Sequence, residues 1–406
     1  MLFLFLMYFR KSIFVHTKDL LFIFFMIILF TGISRLIISA PSISYYVIPL
    51  AIVPIVIRTF YDARLALFVH LVIVLLVGFM APNSYEFVLM NLIAGIMAIY
   101  SLTNIYRRNK FIMASVMAFL GYVIIFLANT LIQEGSFQDM HWTSYIWFAG
   151  NGFLVLLSFP LIYIFEKTFG FLSDATLVEL ADTNQPLLRQ LAEKAPGTFQ
   201  HVLQVANLAE EVARVIGGHQ LLIRTGALYH DLGKMEEPIY FTENQTDGFN
   251  PHSQLSFRES TAIIISHVEK GVEIAEKHNI PRQIIDFIRT HHGTTKVQYF
   301  YRSYLNQFPD KEVDENDFSY PGPKPFTKET AILMMADSVE AASRSLKEYS
   351  EEKLDQLVED IIGGQLDEGQ FVNAPVTFKD IGTAKEIFKK RLKTIYHARI
   401  AYPAKK

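Results

Sequence analysis

Seven side chains in the C-terminal half of the 406-residue chain carry metal-ligand chemistry: His201, His230, Asp231, His267, His291, His292 and Asp337. Imidazoles combined with hard carboxylates suit divalent transition metals such as iron or manganese. The sequence has no Cys, so disulfides are excluded and any metal must be held by His and carboxylates. Singly, each residue has an ordinary reading. A lone His on an amphipathic helix is more often a satisfied core residue than a ligand, and Asp337 alone reads as a helix surface residue. The adjacent His230-Asp231 pair reads as capping and dipole interaction at a helix end. Together they are harder to dismiss, because all fall at helix ends or on apolar faces where an unpartnered polar group costs energy. Metal coordination removes that cost. Lys234, just beyond Asp231, reads equally as a phosphate contact and as a solvated lysine near a helix C-terminus.

Holding these groups together takes a helical scaffold. Pro196-Gly197 and Thr198 start a helix that carries His201. His230-Asp231 stands at the end of an apolar helix, and His267 sits on a helical stretch over 260–276. The helix from Pro281 closes at His291-His292, where Gly293 ends it. Asp337 belongs to a further apolar helix that includes Ile332 and Met335. Segments 238–257 and 294–326 are long for loops inside a helical domain, a length that is often functional. Their Tyr240, Phe241, Asn250, His252, Tyr299, Tyr301 and Tyr320 suit stacking on bases, or packing of the loops themselves. Tyr320 and Lys324 are candidate substrate contacts, the latter to a phosphate. The tail 351–406 reads as two helices with 378–382 as the turn between them.

The order His, His-Asp, His, His-His, Asp resembles the two-metal branch of the HD superfamily. The likeness extends to His230-Asp231-Leu232-Gly233-Lys234, Ser266-His267-Val268, His291-His292-Gly293-Thr294, Tyr320-Pro321-Gly322-Pro323-Lys324 and Ala336-Asp337-Ser338-Val339-Glu340. With the apolar helices upstream, the chain resembles the seven-transmembrane HD proteins, whose studied members are bacterial cyclic di-AMP phosphodiesterases. The resemblance implies an all-α architecture: a polytopic transmembrane helix bundle followed by a cytoplasmic HD-type helical metallohydrolase domain. It assigns His201, His230, Asp231 and Asp337 to one metal, and Asp231, His267, His291 and His292 to the other, with Asp231 bridging. Two such metals would bind a phosphoryl group and acidify a water between them, and with Asp231 holding both no dedicated protein base is then required. The implied reaction converts cyclic di-AMP to linear pApA at the cytoplasmic face of a bacterial inner membrane. Family members begin with an anchor helix and a large extracellular domain. Neither is present here, which reads as a truncated gene product, and a homodimer is among the expected assemblies.

The upstream residues supply the bilayer as partner. Hydrophobic residues make up 51% of the chain, with 34 Phe, and only 19% are charged. That is below the usual quarter of a soluble protein, and most charges lie after Phe169. A span needs roughly 20 mostly apolar residues; such segments run over 19–39, 45–60, 65–80, 87–102, 111–132 and 144–165, the second and third being short. The expected division is 1–168 transmembrane, 169–194 amphipathic linker interrupted by Asn184-Gln185-Pro186, and 195–406 HD domain. Residues 1–9 precede Arg10 and Lys11, the reverse of signal-peptide order, and read as the end of a truncated transmembrane helix. Arg10, Lys11, Lys18, Arg58, Arg64, Arg107, Arg108 and Lys110 gather on alternate loops. The opposite side, with Ala81-Pro82-Asn83-Ser84 and Gln133-Glu134-Gly135-Ser136, carries little positive charge apart from Arg35. The positive-inside rule then puts everything beyond Glu166 in the cytoplasm. His70, Asn91 and Asn129 read as helix–helix hydrogen bonds, since no charged pair or broken helix suggests a transport path.

The net charge of -3 argues against a broad basic surface for a nucleic-acid polymer. Cyclic di-GMP is the weaker substrate, because the HD-GYP branch that hydrolyses it shows His-His-Glu and Gly-Tyr-Pro, whereas here Gly293 follows His292 and the later order is Tyr320-Pro321-Gly322. Nucleoside triphosphate hydrolysis fits one-metal HD proteins better than this full ligand set. A receptor or scaffold that only binds nucleotide is the rival from outside the enzymes, and a degenerate domain of that kind would be expected to have lost ligands.

Overall fold

The computed structural model describes residues 2–102, 109–135, 142–245, 250–346 and 348–396. Met1, Arg107, Arg108, Ser136 and the end of the tail, all used above, lie outside the described residues. The described residues are helical apart from turns, irregular connections such as 319–327, and one isolated antiparallel bridge between Lys296 and Ser319. The chain divides into two compact units, Met1–Thr176 and Leu177–Lys406.

In the first unit four helices are long and apolar enough to cross a membrane: Thr17–Ile38, Ser84–Ser101, Asn109–Gln133 and Thr143–Phe169. Two shorter apolar stretches, Tyr45–Phe60 and Ala63–Gly78, lie between the first and second. Asp62 starts the helix Ala63–Gly78 by accepting from the amides of Arg64 and Leu65, both at 2.9 Å. Polar side chains tie the helices together. His70 Nε2 lies 2.9 Å from the Asn91 carbonyl, and the Tyr122 hydroxyl donates to Asn91 Oδ1 at 2.6 Å. Among the described residues, Asn129 is bonded within its own helix, from Gln133.

The span over 45–60 departs from the sequence expectation of unbroken helices. A 3-10 turn at Tyr45–Val47 gives way to extended Ile48 before the helix Ile52–Phe60 begins. Pro49 explains the break, since it lacks an amide proton and drives the preceding residue out of the α region. The carbonyls of Tyr46 and Ile48 are satisfied by Asn151 Nδ2 at 3.0 and 2.7 Å. A broken span inside a bilayer needs such a partner.

The second unit contains the helices that the ligand pattern requires. Pro186–Lys194 leads into the His201 helix, Pro196–Ile216, and Gln220–Tyr229 ends directly before His230. The His267 helix, Phe257–Lys277, opens with a capping box between Ser256 and Glu259. Arg282–Thr290 ends before His291-His292, and Gly293 takes the left-handed φ of 52° that stops it. The Asp337 helix, Lys328–Arg344, carries the apolar run Ala331–Ala336 wholly buried. Segment 294–326 is not all loop, since Gln298–Gln307 is a helix. The tail also differs from expectation. Residues 378–382 are the first turn of the helix Phe378–Tyr396, and the connection from Glu351–Asp367 lies earlier. Thr377 and Asp380 cap that helix reciprocally, and Ile381 is buried, which outweighs the weak propensity of Gly382.

Candidate metal centre

The structure brings all seven ligand candidates into one cluster. Three overlapping groups, His201/His230/Asp337, His230/Asp231/His291 and His267/His291/His292, each place their ligand atoms within 4.8 Å of one another. Asp231 stands between the outer two. Its Oδ2 faces His230 Nε2 at 3.3 Å and His201 Nε2 at 3.6 Å, while its Oδ1 faces His267 Nε2 at 3.4 Å and His291 Nε2 at 3.7 Å. Asp337 Oδ1 lies 2.9 Å from His201 Nε2, and its Oδ2 lies 3.9 Å from His292 Nδ1. One carboxylate thus offers an oxygen to each half of the cluster.

Local backbone fixes which nitrogen each imidazole presents. The Nδ1 atoms of His230, His267 and His291 lie 2.7, 2.5 and 2.8 Å from the carbonyls three residues earlier, of Ala227, Ile264 and Ile288. A carbonyl only accepts, so each Nδ1 carries a proton and each Nε2 is the nitrogen turned toward Asp231. His201 is held differently. Its Nδ1 meets Glu340 Oε2 at 2.5 Å, one turn beyond Asp337. Carboxylate-oriented histidines of this kind are a recurrent support for metal ligands.

The elements meet closely enough to hold this geometry. Gly233 packs its backbone on the His267 helix, so that a Cβ there would lie 1.8 Å from the His267 carbonyl oxygen. Only glycine lets the turn carrying Asp231 approach that helix. Asn244 caps the His201 helix, its Oδ1 accepting from the amides of Gly197 and Thr198 at 2.9 and 3.1 Å. Gln370, buried in the tail connection, accepts from the Thr294 amide at 3.0 Å and so steadies the turn after His292.

Electrostatics and unsatisfied atoms both fit divalent cations. His230 Nε2 and Asp231 Oδ1 are buried without a hydrogen-bond partner, a state that costs energy unless a ligand relieves it. Burial pushes the Asp231 carboxyl up, but Lys234 and His230 outweigh it and hold the group well below the usual range. Asp337 is likewise held low against its burial by His201 and His230. Burial lowers His201 and His230, yet Asp337 and Glu340 raise the first to about 9, and Asp231 raises the second to about 10. Positive charge is therefore drawn to this half of the cluster. Burial keeps His291 neutral, its pKa pushed down to about 3, and lowers His292 well below its usual value. Neutral imidazole is the form that binds metal.

Above the cluster a cleft is lined by His201, His292, Asp337, Lys234, Glu243 and Arg344, among others. Lys234 Nζ lies 2.8 Å from Asp231 Oδ2 and 2.9 Å from Glu243 Oε1, and these carboxylates raise its pKa against its burial. Tyr320 reaches the site and stacks on His292 with ring centroids 4.2 Å apart. The Lys324 ammonium donates instead to the carbonyls of Glu368 and Gly369 at 3.3 and 3.0 Å, where it caps the helix Glu351–Asp367. Sequence reasoning gave no role to Glu340, Glu243, Asn244 or Gln370. Only Glu340 left a signal, as an acidic residue one turn from Asp337 on an apolar helix.

Comparisons with known proteins agree with this architecture. The family model described as 7TM receptor with intracellular HD hydrolase matches residues 1–173, and the HD domain model matches residues 198–342. The cyclic-di-AMP phosphodiesterase PgpH of Listeria monocytogenes is 36% identical over 366 residues, 88% of this chain and 50% of that protein. The Bacillus subtilis protein of the same name is 37% identical over 368 residues, 88% of this chain and 51% of its own length. The chain thus spans about half the length of the curated relatives it matches. The crystal structure of the L. monocytogenes PgpH HD domain in complex with cyclic-di-AMP is 44% identical, with a TM-score of 0.51, and covers 53% of this chain and 100% of that domain.

Proposed function

The chain belongs to the family of 7TM receptors with an intracellular HD hydrolase, and on that footing we propose that it is a two-metal phosphodiesterase hydrolysing cyclic di-AMP to linear pApA. The observation that carries this reading is Asp231, whose two oxygens face two separate sets of imidazoles. His201, His230, Asp231 and Asp337 would hold one cation, and Asp231, His267, His291 and His292 the other. The donor set, all nitrogen and oxygen, favours iron or manganese. When bound, such a pair would neutralise phosphoryl oxygens and lower the pKa of a water, making hydroxide available for hydrolysis of one P–O ester bond of the cyclic dinucleotide.

The chain's own groups prepare the site for that chemistry. The backbone carbonyls of Ala227, Ile264 and Ile288 hold three Nε2 atoms toward Asp231. Lys234 stays protonated beside Asp231 and offers its ammonium to a phosphate oxygen. Tyr320 covers the His292 ring and presents an aromatic surface next to the ligands. Lys18, Arg58 and Arg64, which favour the inner side of a bilayer, support the reading that the catalytic unit is cytoplasmic.

The test is hydrolysis of cyclic di-AMP and cyclic di-GMP by the full chain in lipid nanodiscs, supplied with Mn²⁺ or anaerobic Fe²⁺. Preferential cleavage of cyclic di-AMP, abolished in Asp231→Ala, is the expected result. Two bound metals with no turnover of either substrate would instead favour a nucleotide-binding receptor.

A further inference from the structure

The cleft has a second wall for which the proposed hydrolysis has no use. The end of the Asp337 helix supplies it, with Ala341, Arg344 and Ser345 lining the same cleft as His201, His292 and Asp337. Lys234, Thr242 and Glu243 also line it. Arg344 is not a free surface arginine. Its Nε donates to Glu340 Oε1 at 2.7 Å, and its Nη2 lies 2.5 Å from the same oxygen. Glu340 is itself 4% exposed and fixed at its other oxygen by His201. One edge of the guanidinium is thereby locked, while 34% of the side chain stays exposed.

A planar cation held in one orientation loses little further entropy when it meets an anion, and guanidinium geometry matches phosphate. Lys234 already stands beside Asp231, where the cleaved phosphorus must sit, so hydrolysis of a single phosphodiester has no need of a second cation. We infer that Arg344 contacts a second phosphate of the substrate, separate from the one attacked, and so makes the cleft selective for ligands bearing two phosphates. This rests on the phosphodiesterase reading above and assigns to that site a specificity residue.

The alternative is that Arg344 merely neutralises Glu340. Its loss would then disturb His201 and depress every substrate alike. Steady-state kinetics on the full chain in nanodiscs with Mn²⁺ separate the two, using cyclic di-AMP and the single-phosphate ester bis(p-nitrophenyl) phosphate. R344A is expected to lose about 10- to 100-fold in kcat/KM on cyclic di-AMP, mainly through KM, as for one charge-assisted contact. The loss on the single-phosphate ester should be at least about tenfold smaller. R344K should recover part of the difference, and the bound Mn²⁺ of both variants should equal that of the wild type. Equal losses on both substrates, loss of Mn²⁺, or no loss on cyclic di-AMP would each overturn the inference. A wild-type chain that cleaves only the single-phosphate ester would sink the proposed substrate instead; Arg344 is then read by inhibition of that reaction. There, an ADP-over-AMP preference that R344A weakens supports the inference, and an unaltered preference overturns it. A wild type inactive on both substrates overturns the reading and the inference together.

Discussion

Replacing Glu340 should weaken one of the two proposed metal positions selectively. His201 is the exception among the histidines with an assigned Nδ1 acceptor, because it relies on a side chain 139 residues away where the others use a local carbonyl. In Glu340→Ala the His201 Nδ1 proton is left in a site where the residue is only 4% exposed, with no acceptor. Losing the orienting partner of a metal-bound histidine typically costs about 10- to 100-fold in affinity, or ~1.4–2.7 kcal/mol. The deep burial of both partners puts this case toward the upper end. Glu340→Gln keeps an oxygen that can accept from Nδ1 but removes the charge, and a neutral bond is roughly half as strong. Its loss should fall near threefold to tenfold, about 0.7–1.4 kcal/mol. Equilibrium dialysis against buffered Mn²⁺, with bound metal counted by mass spectrometry, reads both variants. One equivalent should weaken while the other, next to His267, His291 and His292, is largely kept. Wild-type binding of both equivalents in Glu340→Ala would refute the reasoning and leave Glu340 as a charge partner for Arg344 alone.

Other expectations follow from the same contacts. Gly233→Ala puts a Cβ where the His267 carbonyl lies 1.8 Å away, so the Asp231 turn must shift. We expect ~1–3 kcal/mol of destabilisation, read by thermal denaturation, together with metal loss; normal melting and metal content would mean the turn can slide freely. Tyr229→Phe removes the hydroxyl that donates to the Leu180 carbonyl at 3.0 Å, and should cost about 1–2 kcal/mol in denaturant titrations, with unaltered metal content. Glu359 is held below its ordinary pKa by hydrogen bonds from Lys385 and then Lys389. Its contribution is therefore present above the unfolded pKa near 4.5 and lost as pH falls through the lower folded value. Glu359→Gln should cost under about 1 kcal/mol at pH 7, the difference shrinking as pH falls below the unfolded value, and a difference that stays constant on acidification would contradict the assignment.

What the sequence made legible was local. Apolar periodicity and length located the helices, and Pro196, Gly293 and the residues around Pro186 marked where several begin or end. Those signals act within a turn or two, which is why the helices carrying His201, His267 and Asp337 could be drawn before any contact was known. Pro49 was equally visible, but the break it causes in its span is tolerated only because Asn151, more than a hundred residues later, takes the freed carbonyls. Nothing local announces that. Asn244 capping a helix 47 residues upstream, and Gln370 holding a turn 76 residues before it, are invisible for the same reason.

Glu340 and Arg344 show most sharply how three-dimensional context changes the meaning of a spacing. Four residues apart on a helix, an acid and a base read as a surface pair worth a few tenths of a kcal/mol. That value assumes water around both charges. Here the helix turns Glu340 into the core, where its second oxygen is engaged by His201, and turns Arg344 toward the cleft. Glu340 is buried while Arg344 keeps 34% of its side chain exposed, so the same spacing becomes a link between a proposed metal ligand and the cleft wall. The link is physical only because Asp337, one turn earlier on the same face, already commits that side of the helix to the cluster.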